Sequence, residues 1–197
     1  MVKTQKMSTQ ALVMGAVLTA LVVILQYMGT FVRLGPFAIS LVLIPIVIGT
    51  ATCGKGVGAW LGFVFGVVVL ASGDAAAFLA VNAPGTILTV LVKGTACGFF
   101  AGLAYEGAMK LFKGNVYLST IVAAIICPIV NTGIFLIGCV LFFMGIVTEW
   151  AAGAGLGGNV AQYMFVFLAG GNFLFELAVN VIFAPIIVRI IKAVKKA

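Results

Sequence analysis

The sequence contains no histidine and only four acidic residues among its 197. Histidine and carboxylate side chains supply most general acid–base catalysis and most metal ligands, so their scarcity argues against an enzyme. The four cysteines form no Cys-x-x-Cys pair, and the usual zinc and redox motifs are therefore missing. The chain also lacks Gly-x-x-x-x-Gly-Lys-[Ser/Thr], so it cannot hydrolyse ATP through a P-loop. We predict no enzymatic activity, no cofactor and no bound metal.

Charged residues are equally scarce, at 8% of the chain, whereas a soluble domain has about 25%. Hydrophobic residues make up 64%, so most of the surface must face lipid. No polar linker divides the sequence, and we predict a single all-α membrane domain over residues 1–197. A transmembrane helix needs about 20 apolar residues. Turns rich in glycine, proline and asparagine separate six such spans, at roughly 9–29, 37–52, 57–72, 84–105, 116–146 and 162–191.

The formal net charge of +7 does not indicate nucleic-acid binding, because the basic residues lie at the edges of the apolar runs. One of them, Arg33, falls on the side opposite both termini. Nine fall on the side that holds the termini: Lys3, Lys6, Lys55, Lys110, Lys113, Arg189, Lys192, Lys195 and Lys196. Cytoplasmic segments carry the excess of Lys and Arg, so this bias predicts a multi-pass protein of the cell membrane with cytoplasmic N- and C-termini.

Lys93 and Glu176 lie near the middle of two predicted spans. A charge at the centre of a bilayer costs at least ~2.5–3.5 kcal/mol, so such residues face other helices, water or a ligand. At ~100° per residue, each lies on a polar stripe of its helix. Asn131 is midway along another span. The predicted substrate-binding residues are Asn82, Thr89, Lys93, Asn131, Asn172, Glu176 and Asn180. A structural Lys93–Glu176 ion pair and a proton relay are the alternatives.

Small residues recur every four positions on three spans. Gly58, Gly62 and Gly66 lie on one face of the third span, and Gly94, Gly98 and Gly102 on one face of the fourth. This spacing allows helix backbones to approach closely within a membrane. The glycine faces therefore predict either a fixed packing interface or a surface along which helices slide. Ala16 and Ala20 form a similar face on the first span, with Gly15 beside them.

These features together resemble a known family. The residues that carry the resemblance are Ala16-x-x-x-Ala20, the run 43–49 in span two, Gly58–Gly66, Asn131-Thr132 and the stripe around Asn172. Across nearly all of its length the chain resembles the substrate-binding S component of energy-coupling factor (ECF) transporters, the vitamin importers of prokaryotes.

The resemblance implies a membrane subunit that captures one vitamin or related micronutrient and passes it inward with a T subunit and two ATPase subunits. It implies that Ala16 and Ala20, with Gly15, dock onto the T subunit, and that the loop containing Arg33 and Pro36 acts as part of a lid. Lys93 favours a substrate with a carboxylate, and pantothenate leads for this reason. Riboflavin or a queuosine precursor comes next, then biotin or lipoate. An autonomous secondary carrier or channel for a small organic solute is the alternative function.

Overall fold

Four helices of the described residues are long and apolar enough to cross a membrane. The computed structural model describes residues 9–30, 33–34, 37–38 and 41–194. The long helices are α1 (Thr9–Gly29), α5 (Ala83–Leu111), α6 (Val116–Phe142) and a composite of α8 (Val160–Gln162), a π-helical segment (Tyr163–Leu168) and α9 (Gly170–Val194). The shorter elements are β1 (Arg33–Leu34), β2 (Phe37–Ala38), α2 (Leu43–Cys53), α3 (Lys55–Ala71), α4 (Ala76–Leu79) and α7 (Met144–Gly153).

Apolar helices α2 and α3 are shorter than the four candidate spans, at 11 and 17 residues. Four of the six predicted spans therefore correspond to helices long enough to cross a membrane. That α2 and α3 also cross it stays a prediction, as does the orientation of the termini. An α-helix rises ~1.5 Å per residue, so α2 by itself covers about half of a ~30 Å hydrocarbon core.

The second predicted span begins too early. Residues 37–38 are not helical but form β2, which pairs with β1 in an antiparallel ladder with Leu34 opposite Phe37. The helix itself begins at Leu43. Hydropathy measures transfer into lipid, not backbone conformation, so a short apolar run cannot by itself distinguish strand from helix.

The fifth predicted span ends too late. It was expected to reach residue 146, but α6 ends at Phe142 and a separate helix, α7, begins at Met144. Phe143 leaves the helical conformation, with φ −131° and ψ 10°. Its side chain is only 3% exposed, so packing of this ring accompanies the break. The glycine-rich segment 151–159, which follows this predicted span, begins inside the last turn of α7.

Asparagine side chains cap the helices at three of these boundaries. Asn82 Oδ1 accepts a hydrogen bond from the Gly85 amide at 3.0 Å, where α5 begins. Asn115 does the same for α6, and Asn159 for α8. Each bond satisfies one of the backbone donors that a helix start leaves without a partner, which is worth about 1 kcal/mol.

Helix α2 lies at the centre of the bundle and packs against α1, α3, α5, α6 and α9. Leu43, Ile46 and Val47 have no exposed surface. This environment explains the nearly continuous apolar sequence of α2, since a helix that is surrounded on all sides needs no polar face. Gly54, at φ +92°, makes the tight turn from α2 to α3, a conformation that glycine adopts without strain.

Helices α3 and α5 touch along their glycine faces. A Cβ atom placed on Gly62 would overlap the carbonyl group of Gly94, and one placed on Gly98 would overlap the carbonyl oxygen of Gly58. The two backbones are therefore in direct contact. The interface fixes α5 against α3 and so determines which face of α5 points toward α6 and α9.

Candidate functional site

The polar stripe of α5 faces a cavity of about 100 Å³. Helices α5, α6 and α9 supply its polar wall, while α1, α3 and α4 close the other sides. Five of the predicted binding residues line it together: Thr89, Lys93, Asn131, Asn172 and Glu176. They come from three helices, the consecutive α5 and α6 and the more distant α9. The structure therefore brings these five residues to one place.

The ammonium group of Lys93 lies between two aromatic rings. Lys93 Nζ is 5.5 Å from the ring centroid of Phe65 on α3 and 5.7 Å from that of Phe135 on α6. The negative faces of such rings attract a cation within about 6 Å, which offsets part of the cost of placing the charge here. Lys93 also lines the cavity, where a carboxylate or another acceptor could meet its ammonium donors.

Three oxygen atoms of the polar wall lack a hydrogen-bond partner among the described residues. They are Thr89 Oγ1, Asn131 Oδ1 and Asn172 Oδ1. Thr89 and Asn131 are only 6% and 5% exposed. A buried polar atom without a partner costs about 1–3 kcal/mol, so native proteins usually supply it with a partner, water or a ligand. These atoms would accept hydrogen bonds from a polar molecule in the cavity.

Two carboxylates also line the cavity. Glu176 is 5% exposed, and Asp74 Oδ2 accepts a hydrogen bond from Gln26 Nε2 at 2.6 Å. Lys93 and Glu176 line the same cavity, so their opposite charges lie in one space. A surface ion pair joins Lys55 Nζ to Glu106 Oε2 at 3.0 Å, away from this cavity.

Two of the predicted binding residues do not line this cavity. Asn82 caps α5, as described above. Asn180 is 1% exposed and donates a hydrogen bond from Nδ2 to the backbone carbonyl of Glu176 at 2.8 Å. It lies one helical turn beyond the cavity wall and contacts the backbone that carries Glu176. Pro36 and the side chain of Arg33, both predicted in a lid, lie outside the described residues.

The predicted docking face divides into two parts. Ala16 and Ala20 are exposed on α1, whereas Gly15 is buried. A Cβ atom at Gly15 would lie 3.8 Å from the Val57 side chain of α3. Gly15 therefore faces the bundle and not a partner, because a residue in contact with α3 is covered from outside.

Some lining residues were not predicted from the sequence. Gln26 of α1 and Asp74 in the turn after α3 meet at one end of the cavity although they are 48 residues apart. Phe78 was not singled out because it belongs to the four-residue helix α4. The sequence did point toward Thr86 and Thr132. Thr86 lies one helical turn before Thr89 on α5, and Thr132 directly follows Asn131 on α6. The described residues hold no group of three or more His, Cys, Asp or Glu side chains suited to a metal ion.

A family model described as "ECF transporter, substrate-specific component" matches residues 10–191. The match covers every helix described above except the first residue of α1 and the last turn of α9. No curated protein and no solved structure matches the chain.

Proposed function

Because the chain belongs to the substrate-specific components of ECF transporters, we propose that it captures a small water-soluble vitamin or related micronutrient in the cavity around Lys93. Members of this family are transport components and not enzymes. The observation that carries the proposal is the convergence of Lys93, Asn131 and Asn172 on one cavity, together with oxygen atoms that have no partner among the described residues.

Lys93 favours a substrate with an acidic group. Lys93 supplies a cation in a site of low dielectric, where a charge-assisted hydrogen bond contributes about 1.5–3 kcal/mol. Pantothenate is the leading substrate because its carboxylate can meet Lys93 while its amide and hydroxyl groups donate to Asn131 and Thr89. Riboflavin and a queuosine precursor come next, because their N–H and O–H donors suit the same oxygen atoms.

The proposed partners are a membrane T subunit and two ATPase subunits, in the plasma membrane of a prokaryote. Docking through the outward face of α1 is supported by the exposure of Ala16 and Ala20, which leaves a smooth strip between larger side chains. Small residues let another helix approach closely where lipid provides no hydrophobic drive. Gly15 is not part of this proposal, because it packs against α3.

We expect Ala16→Trp to lower substrate uptake by the complete transporter about tenfold or more while binding to the isolated chain stays unchanged. The indole would hold the partner helix away from α1, which removes close packing without touching the cavity. Radiolabelled uptake in proteoliposomes and equilibrium binding in detergent measure the two effects. Leu21→Trp is the matched control, since Leu21 is exposed on the same helix at ~140° from Ala16. Equal uptake by the two variants would contradict docking at Ala16.

The function itself is tested by purifying the chain and identifying a co-purifying vitamin by mass spectrometry. Uptake is then measured with and without the T subunit and ATPases. We expect ATP-dependent uptake that requires all the partners. Robust uptake by the chain alone, insensitive to ATP depletion, would instead establish an autonomous carrier or channel.

The proposed topology places both termini in the cytoplasm and the Asp74 end of the cavity outside. A reporter enzyme active only in the cytoplasm, fused after residue 197, is expected to be active. A matched fusion after Gly73, between α3 and α4, is expected to be inactive. Reversed activities would place the cavity mouth on the cytoplasmic side and contradict capture from outside.

A further inference from the structure

A second pocket of about 450 Å³ adjoins the cavity around Lys93. The two share Asp74 and Phe78 as lining residues. The rest of the second pocket, hereafter the outer pocket, is lined mainly by Ala77 of α4, Glu149 and Trp150 of α7, and Tyr163 at the start of the π-helical segment. It lies on the side of the cavity where Gln26 meets Asp74.

The ring of Phe78 separates the two spaces. Its centroid is 5.7 Å from that of Phe135, which lines the inner cavity, and 5.4 Å from that of Trp150, which lines the outer pocket. Both contacts are edge-to-face. Phe78 stands on a helix of only four residues between two turns, so a small shift of α4 changes the opening between the inner cavity and the outer pocket.

The inner cavity alone is too small for a vitamin. Sites for small molecules usually have volumes of about 300–1,000 Å³, and a cavity of ~150 Å³ holds only a benzene ring. The inner cavity, at about 100 Å³, is too small. Together with the 450 Å³ of the outer pocket, it reaches the size of ordinary ligand sites. An elongated substrate with two parts would fill both.

The two spaces differ in charge and in hydrogen bonding. The inner cavity contains a cation, the ammonium of Lys93, beside the carboxylates of Glu176 and Asp74. It also contains the buried oxygen atoms of Thr89 and Asn131, which have no partner among the described residues. The outer pocket has aromatic walls and the carboxylate of Glu149, and none of its described lining residues is basic. Aromatic faces and carboxylates attract cations and repel anions.

We infer that the outer pocket is a second subsite of the substrate-binding site, which takes an uncharged or cationic end and rejects an anionic one. This inference rests on the function proposed above. The acidic group of the substrate enters first and reaches Lys93, and the other end remains between Trp150, Tyr163 and Glu149. A phosphate on that outer end is disfavoured, so the subsite distinguishes a free vitamin from its phosphorylated form.

The charge preference is tested without any substrate. In a Cys53→Ala background, Ala77→Cys places a thiol in the outer pocket, and Ala154→Cys places one just beyond α7 and outside the pocket. Each is treated with methanethiosulfonate reagents that carry either a trimethylammonium or a sulfonate group. A thiolate reacts faster with a cationic reagent at any position, so the ratio of the two rates is compared between positions. Because the carboxylate of Glu149 lines the pocket, we expect the cationic-to-anionic rate ratio at position 77 to exceed the ratio at 154 about fivefold.

Glu149→Gln should reduce the ratio at position 77 to the value at 154. Glu106→Gln is the matched control, because it removes the same charge from α5 ~36 Å along the helix from Asn82. Equal rate ratios at positions 77 and 154, or a ratio at position 77 that Glu149→Gln does not change, would overturn the subsite. Gly153→Cys, at another wall of the pocket, repeats the measurement if Ala77→Cys fails to fold.

The link to transport is tested with pantothenate and 4′-phosphopantothenate, which differ at the end away from the carboxylate. We expect the parent chain to prefer pantothenate about tenfold or more and Glu149→Gln to narrow that preference. An unchanged preference in Glu149→Gln would contradict the subsite. If the parent chain binds neither compound, pantothenate is wrong as the substrate, while the thiol rates still decide the charge preference of the outer pocket.

Discussion

Lys93→Ala weakens binding of the co-purifying vitamin, or of labelled pantothenate, by about tenfold or more. The change removes the ammonium that lies between Phe65 and Phe135. A carboxylate left in the cavity without this cation loses a charge-assisted hydrogen bond at low dielectric, where water replaces it poorly. Equilibrium binding of the radiolabelled compound to purified chain in detergent measures the effect.

Two further variants separate a ligand contact from a structural role. Glu176→Gln keeps the shape of the side chain and removes its charge, and we expect it also to weaken binding about tenfold if Glu176 contacts the ligand. Asn180→Ala is the control, since Asn180 is buried one turn from Glu176 but does not line the cavity. It should leave binding nearly unchanged.

Lys93 and Glu176 would instead form a structural pair if each single variant bound normally but unfolded at a lower temperature. In that case the double variant Lys93→Met, Glu176→Gln would recover much of the lost stability, because removing one partner leaves an uncompensated charge and removing both does not. If Lys93 contacts the ligand, as we expect, the double variant should not recover binding, because its cavity would still lack the cation.

Helical periodicity identified which residues of α5 share the face that lines the cavity. Thr89 and Lys93 lie on one face at helical spacing, and both line the cavity. Periodicity describes the faces of one helix but not how that helix is rotated against its neighbours. Periodicity also placed Asn82 in this wall. Asn82 instead precedes the first helical residue of α5, and its side chain turns back to cap the helix.

Helical periodicity could not predict the end of the site that contains Gln26, Asp74 and Phe78. The hydrogen bond from Gln26 to Asp74 joins α1 to the turn after α3 across 48 residues, and Phe78 lies on a helix too short for any periodic signal. The break at Phe143, which separates α6 from α7 and places Trp150 beside Phe78, lies within an apolar run. Tertiary packing positions all of these residues, and no local pattern encodes it.

The second large effect concerns the glycine faces of α3 and α5. We expect Gly62→Ala and Gly98→Ala each to lower the midpoint temperature of unfolding in detergent, with a cost of about 1–3 kcal/mol or more. The added methyl group would overlap backbone carbonyl groups of the opposite helix, and a backbone cannot move aside as a flexible side chain can. Thermal unfolding followed by size-exclusion chromatography measures the loss.

Gly56→Ala and Gly107→Ala are the matched controls on the same two helices. A Cβ atom at either position has no atom within 4 Å, so the change should only improve helix propensity, by up to ~1 kcal/mol. Similar unfolding temperatures for Gly62→Ala and Gly56→Ala would contradict direct contact between the backbones.

The same variants distinguish fixed packing from a sliding surface. A fixed α3–α5 interface holds the polar stripe of α5 toward α6 and α9, so Gly62→Ala should reduce stability and substrate binding together. If the helices instead slide during transport, the methyl group would obstruct movement more than folding. Uptake by the complete transporter would then fall while binding by the isolated chain was kept. We expect the first pattern, because the contact continues from Gly58 to Gly66 along the length of α3 that faces α5.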